Sequence, residues 1–195
     1  MSKKEKKLLT ARFGNISPDS IDDYIKTGGY ASLKKALGMA PDAIIAEVKA
    51  SGLRGRGGAG FPTGIKMESV RRATGSPKYV VCNADEGEPG NFKDRYLMEK
   101  DPHQLIEGMI ISAFAVGADY GAIFVRGEYI KAIKILDNAI KQARGAGFLG
   151  KNILGTGFDF DMDVYSGAGS YVCGEEFALL AALEGKPARS TFKPP

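Results

Sequence analysis

The placement of the glycines constrains this chain more than any other feature. Of 26 glycines in 195 residues, six lie between Gly52 and Gly64 and eight between Gly145 and Gly174. That total is nearly twice the average usage of about 7%. Such clusters mark loops where the backbone turns through positive φ or approaches something closely, which a Cβ would obstruct. Between the clusters the pattern is regular, and the length suffices for one proper hydrophobic core.

Ser17-Pro18 opens a short helix over residues 19–26, Gly28-Gly29 stops it, and a second runs over 30–37 to Gly38. Pro41-Asp42 starts a third, which carries Ile44, Ile45 and Val48 and ends at Gly52. A polar helix is expected over 65–73. The run KYVVC at 78–82 reads as a buried strand emptying into the loop NADEGEPGN at 83–91. Residues 103–116 read as a buried helix and 122–125 as a second strand. Ile130, Ile133, Leu136, Ile140 and Ala143 then recur at helical spacing up to Gly145. Phe158, Phe160, Met162 and Val164 alternate with three aspartates, which predicts a half-exposed strand over 158–164. A loop at 166–174 leads to a last helix over 175–183, closed by Gly185.

Strands separated by helices predict an α/β domain: a largely parallel sheet with crossover helices, in three layers, the strands at 78–82 and 122–125 side by side. The domain is expected over 41–195, preceded by a basic tip and short helices over 1–40.

Charge and cysteines exclude several classes. The net charge is +4, and Lys3, Lys4, Lys6, Lys7 and Arg12 against Glu5 account for all of it. A basic tip on a neutral body is a solvated terminus rather than a phosphate-tracking groove, so nucleic acid is not an expected partner. Too few apolar residues follow the tip for a signal peptide, and no run is long enough for a membrane span. The chain reads as cytoplasmic. Cys82 and Cys173 form no CxxC pair and His103 is the only histidine, so no metal site is expected. His103, after Asp101-Pro102, reads as structural.

Gly55-x-Gly57-x-x-Gly60 and Gly145-x-Gly147-x-x-Gly150 both fit the dinucleotide fingerprint, yet both follow helices, where the pattern has no meaning. Gly64 is followed by Ile65, so there is no P-loop. Even so, glycine N–H groups with Arg54, Arg56 and Lys66 suit an anionic, flat ligand, and Phe61 offers a stacking face. Asp85, Glu86 and Glu88 lie just after a strand, at the edge where α/β proteins bind ligands. Glu175 and Glu176 stand at a helix start, where they favour the dipole. Asp159-x-Asp161-x-Asp163 lacks the glycine and glutamate of a calcium loop.

Taken together, GLRGRGGAGFPTGIK (52–66), VCNADEGEPGNFKDR (81–95), DPHQLIEGM (101–109), FVRGEY (124–129) and GAGSYVCGEE (167–176) resemble one family in order and spacing. It is the NADH-binding flavoprotein subunit of respiratory complex I, with relatives in NAD-dependent or electron-bifurcating hydrogenases and formate dehydrogenases. The resemblance implies a Rossmann-like FMN-binding domain that passes hydride from NADH to FMN and single electrons to iron–sulfur centres. It implies FMN contacts from Gly55, Gly57, Gly58, Lys66, Asn83, Asp85, Glu86, Tyr171, Gly174 and Glu175. Glu88 and Glu176 would position the nicotinamide and ribose of NADH, Phe61 would stack on adenine, and Lys193 would lie near the dinucleotide. Of these, Glu86 and Glu88 are implied at the reacting rings. The implied partners are a small thioredoxin-like [2Fe-2S] subunit and a larger iron–sulfur subunit.

The family continues with an asparagine-containing flavin-phosphate segment, a β domain and a helical domain holding a [4Fe-4S] cluster, none of it in this sequence. The chain is therefore expected to be a fragment that binds FMN weakly by itself. Two readings from other classes stay open: phosphoryl transfer with Asp85, Glu86 and Glu88 on Mg²⁺, and a non-catalytic scaffold piece.

Overall fold

A computed structural model describes residues 6–56, 58–169 and 171–192. Three strands, β1 (Tyr79–Ala84), β2 (Tyr120–Val125) and β3 (Asp161–Ser166), form a parallel sheet in the order β1-β2-β3. Tyr79 pairs with Tyr120 and Tyr120 with Asp161, so the strands start and end level.

The helices, in chain order, are α1 (Ile21–Lys26), α2 (Ala31–Leu37), α3 (Pro41–Ala50), α4 (Thr63–Arg72), α5 (Lys93–Lys100), α6 (Pro102–Val116), α7 (Ile130–Gly145) and α8 (Glu176–Leu183). α5 and α6 carry the chain from β1 to β2, and α7 carries it from β2 to β3. Their ends follow local chemistry. Ser20 caps α1 by accepting from the Asp23 amide, proline opens α3 and α6, and Gly117 ends α6 at φ 74°.

The core lies between the sheet and α6. Ile106, Ile110 and Ala113 of α6, Ile123 and Val125 of β2, and Leu136 and Ile140 of α7 are buried together. On the opposite face of β2, Phe124 packs with Cys173 and with Leu179 of α8. Alternate residues of one strand thus feed two helical layers, as expected for a covered parallel sheet. Tyr24, Tyr30 and Leu33, from the first two helices, belong to the α6 core as well.

Glu107 of α6 ties those helices down. Its buried carboxylate accepts from the Tyr24 hydroxyl at 2.5 Å and from the Tyr30 and Leu33 amides, both at 2.9 Å. It therefore acts as a borrowed N-terminal cap for α2, whose own cap residue, Tyr30, makes no side-chain capping bond to the helix. His103 is buried beside it, bonded to the Tyr30 hydroxyl and to Gln142, a structural role as expected.

Beyond shifts of one or two residues, as in β2 and α4, the elements differ from the sequence expectations in three places. β1 continues past the apolar run through Asn83 and Ala84, which pair with Phe124 and Val125. β3 starts at Asp161 rather than at 158. Phe160 is held earlier, because its N–H and C=O are both paired with Gly150. Helix α5 had no counterpart, because it is charged and buries only Met98. The three aspartates of the β3 region face cations, with Asp159 on Lys151 and Asp161 and Asp163 on Arg144.

Candidate functional site

Strands that end level bring their following loops side by side at one edge of the sheet. Here the loops after β1 and β3 touch. The Asn83 side-chain amide donates to the Gly174 carbonyl at 3.0 Å, and the Tyr171 hydroxyl donates to Glu88 at 2.6 Å. A Cβ on Gly87 would stand 3.6 Å from the Tyr171 ring, so bare backbone faces an aromatic there. Between the loops lies a cavity of about 270 Å³ lined by Asp85, Gly87, Glu88, Tyr171, Val172, Gly174 and Glu175.

One atom in it stands out. Asp85 Oδ2 is buried with no hydrogen-bond partner, a state shared only by Asp101 Oδ2 among the described residues. An orphaned buried acceptor is costly unless a donor arrives from outside the chain. Asp101 has Arg12 at 3.5 Å, whereas Asp85 has no ion pair that close among the described residues. Burial pushes the Asp85 carboxyl above the usual carboxylate range; the Arg126 guanidinium opposes this and Glu128 adds to it. The Tyr171 phenol is pushed up in turn by the Glu88 carboxylate that accepts its hydrogen bond.

Larger clefts exist, but their chemistry is weaker. One of about 420 Å³ between α3 and α4 is crossed by the ion pairs Asp42–Arg71 and Lys49–Glu68, with Arg72 sharing Glu68, so each of its charged side chains already has a partner. Another, of about 380 Å³, lies between α8 and the sheet and is lined by Tyr79, Tyr120, Tyr165 and Leu180 among others.

The expected site residues divide. Asp85, Glu88, Tyr171, Gly174 and Glu175 line one cavity, and Asn83 joins its two loops. Glu175 also accepts from the Phe177 and Ala178 amides, capping α8, while Glu176 is the exposed first residue of that helix. Glu86 does not line the cavity. Its carboxylate accepts from the Asp94 and Arg95 amides at the start of α5 and from the Tyr129 hydroxyl. That separation from Asp85 and Glu88 leaves no triad of acids for Mg²⁺.

The glycine loop forms a narrow hairpin. Gly55 N–H donates to the Phe61 carbonyl at 3.0 Å, Thr63 N–H to Leu53 at 2.9 Å, and Arg54 to the Gly60 carbonyl at 3.1 Å. Gly58 and Gly60, at φ 157° and 65°, turn its tip, and Phe61 and Lys66 are exposed beside it. Gly64 is needed for packing, since its Cβ would meet the Lys49 backbone at 2.8 Å. None of these residues lines the acid cavity. Gly57 and Lys193 lie outside the described residues.

Residues 48–195 match the model of the Nuo51 FMN-binding domain. The chain belongs to that family. It is 57% identical over 176 residues to an NADH-quinone oxidoreductase subunit of Aquifex aeolicus, covering 90% of this chain and 41% of the relative. Identity to the NADP-reducing hydrogenase subunit HndC of Solidesulfovibrio fructosivorans is 51% over 193 residues, or 99% of this chain and 39% of the relative. Among solved structures, an NAD⁺-reducing [NiFe]-hydrogenase in the H₂-reduced state superimposes with a TM-score of 0.78 at 35% identity, over 98% of this chain and 30% of that one. The chain thus spans about two fifths of the length of the curated relatives it matches.

Two residues that hold the loop after β1 were not singled out from sequence. Arg126 donates from Nη1 to the Glu86 carbonyl at 3.1 Å, and Tyr129 reaches the Glu86 carboxylate. The signal was present: FVRGEY leaves β2 at the same edge that β1 leaves with NADEGEPGN.

Proposed function

We propose that the chain is the FMN-binding part of an NADH-oxidising flavoprotein subunit, and that the cavity between Asp85 and Tyr171 belongs to its flavin and nicotinamide site. The observation that carries this is Asp85 Oδ2, a buried acceptor without a donor among the described residues, in a cavity at the carboxyl edge of a parallel sheet of this family. FMN fits such a site: its ribityl hydroxyls are the donors the carboxylate lacks. Bound there, it would supply hydride acceptance from NADH and release of single electrons to an iron–sulfur centre outside these residues.

The chain's own residues would do the positioning. Asp85 accepts from the ribityl hydroxyls, and Asn83 keeps the β1 and β3 loops joined through Gly174. Gly87 and Gly174 present bare backbone on which a flat ring can rest, beside the Tyr171 face. Glu88, oriented by the Tyr171 hydroxyl, accepts from the ribose or carboxamide of NADH and so sets the nicotinamide against the flavin, the alignment that hydride transfer demands. Glu86 contributes by fixing α5 under the turn, and its backbone carbonyl by holding Arg126. The Gly55–Gly60 hairpin, with Arg54, Arg56 and Lys66, would bring N–H groups and cations to a phosphate, and Phe61 a face for adenine.

The relatives' names place them in an NADH-quinone oxidoreductase and a hydrogenase, which supports a multi-subunit redox complex as the setting. The partners proposed within it are a small [2Fe-2S] subunit and a larger iron–sulfur subunit, on the cytoplasmic side of the membrane. No helix of the described residues is long and apolar enough to cross a membrane. Titrating FMN into the purified chain and following flavin fluorescence tests the reading. Saturable 1:1 quenching that Asp85→Ala abolishes supports it; unquenched flavin at millimolar protein overturns it.

A further inference from the structure

Asp85 does not meet its ligand in isolation. β2 ends at Val125, and Arg126 follows directly beside the end of β1, its N–H donating to the Ala84 carbonyl at 3.4 Å. From there its guanidinium works in two directions. Nη1 donates to the Glu86 carbonyl at 3.1 Å, inside the Asp85–Glu88 turn. Nε and Nη2 grip Glu128 two residues on, at 3.0 and 3.1 Å. Between them, Gly127 lets the backbone approach the loop after β3, since a Cβ there would stand 2.2 Å from the Gly167 carbonyl.

Resting on the flavin reading above, we propose that Arg126 is a positioning residue of this site: through the Glu86 carbonyl it anchors the Asp85–Glu88 turn and brings a guanidinium to the loop that carries the Asp85 acceptor, with Glu128 as its counterweight. The guanidinium is committed to both tasks by its planar fork, which a lysine could not reproduce. Among the described residues, charged and titratable groups reach Asp85 from three sides. Arg126 and Glu128 come from the end of β2, Glu86 and Glu88 from its own loop, and Tyr171 and Glu175 from across the cavity. Glu86 is turned toward the start of α5 and Tyr129, and Glu88 toward Tyr171. Arg126 is thus the nearby cation that favours the Asp85 carboxylate, and burial and Glu128 work against it.

The arrangement carries a signature that a merely structural role would lack. Removing the cation and removing its counterweight must move Asp85 in opposite directions. In Arg126→Gln the carboxyl should hold its proton to higher pH than in the wild type. In Glu128→Gln, where the turn contact to Glu86 is kept, it should release the proton at lower pH.

The experiment is a side-chain carboxyl ¹³C titration of Asp85 in the whole chain, for the wild type, Arg126→Gln, Arg126→Lys and Glu128→Gln. FMN affinity is measured across the same pH range. The expected result is opposite displacement of the Asp85 midpoint in Arg126→Gln and Glu128→Gln. The acid limb of FMN binding should follow each, and Arg126→Lys should keep the midpoint near the wild type while binding less tightly. If Glu128→Gln leaves Asp85 unmoved, or moves it upward, the inference is overturned even should Arg126→Gln fail to fold. If the wild-type chain takes up no FMN at any pH, the flavin reading fails, while the carboxyl titration still decides whether Arg126 governs Asp85.

Discussion

Glu107→Ala should be among the most damaging single changes outside the flavin site, and its cost can be worked from the contacts. The substitution strands three donors in the core: the Tyr24 hydroxyl and the Tyr30 and Leu33 amides. Each unsatisfied buried donor costs about 1–3 kcal/mol. The desolvation of the carboxylate, relieved in the variant, offsets part of this. A net loss of about 3–5 kcal/mol follows, a large share of a domain stability of about 5–15 kcal/mol. For a domain of this size each kcal/mol lowers Tm by about 2–4 °C, so a fall of about 6–20 °C is expected. Glu107→Gln keeps one acceptor oxygen and turns an N–H₂ toward a remaining amide, so it should lose about 1–2 kcal/mol. Urea unfolding followed by circular dichroism measures both. A loss below ~1 kcal/mol for the alanine variant would show that α1 and α2 are not held by this carboxylate.

Two other substitutions separate stability from binding. Asp85→Asn should stabilise the fold at pH 7 and not at pH 4. The folded carboxyl lies above its unfolded value, so the contribution favouring the fold is present below the unfolded pKa and is lost as pH rises through the folded one. Thermal melts of both proteins across that range check the sign, and an asparagine variant no more stable at pH 7 would contradict it. Glu88→Gln should weaken NADH binding and leave FMN in place, since its partner is Tyr171 and its proposed ligand is the dinucleotide. Loss of flavin along with NADH oxidation, measured with an artificial acceptor in a full-length relative carrying the same change, would merge the two sites.

Much of the architecture was legible because it rests on local signals. Pro41, Pro102 and Gly185 punctuate helices for backbone reasons that need no tertiary context. The run at 78–82 announced β1 because Val80 and Cys82 pack on one face and Val81 on the other, which leaves an apolar string, although this edge strand is only half-buried and Tyr79 is exposed. α5 was hidden for the converse reason: with Met98 its one buried residue, it shows almost no periodic stripe. The site was legible as loops and not as orientations. Asn83, Asp85 and Glu88 could be placed at the sheet edge from the strand before them. Nothing in the string NADEGEPGN distinguishes Glu86, which serves α5, from Asp85 and Glu88, which face the cavity. That division depends on where the chain turns at Gly87 and on Arg126, which arrives from 40 residues away.

The central claim, that the acid cavity is a flavin site, is tested most directly by mapping FMN onto the ¹⁵N-labelled chain by NMR. The method reads location even where affinity is weak. The expected result is saturable shifts in the amides of Asp85, Gly87, Glu88, Tyr171, Gly174 and Glu175, joined by the Gly55–Gly60 hairpin, and their loss in Asp85→Ala. Shifts confined to another surface, such as the cleft between α8 and the sheet, or none at millimolar FMN, would contradict it.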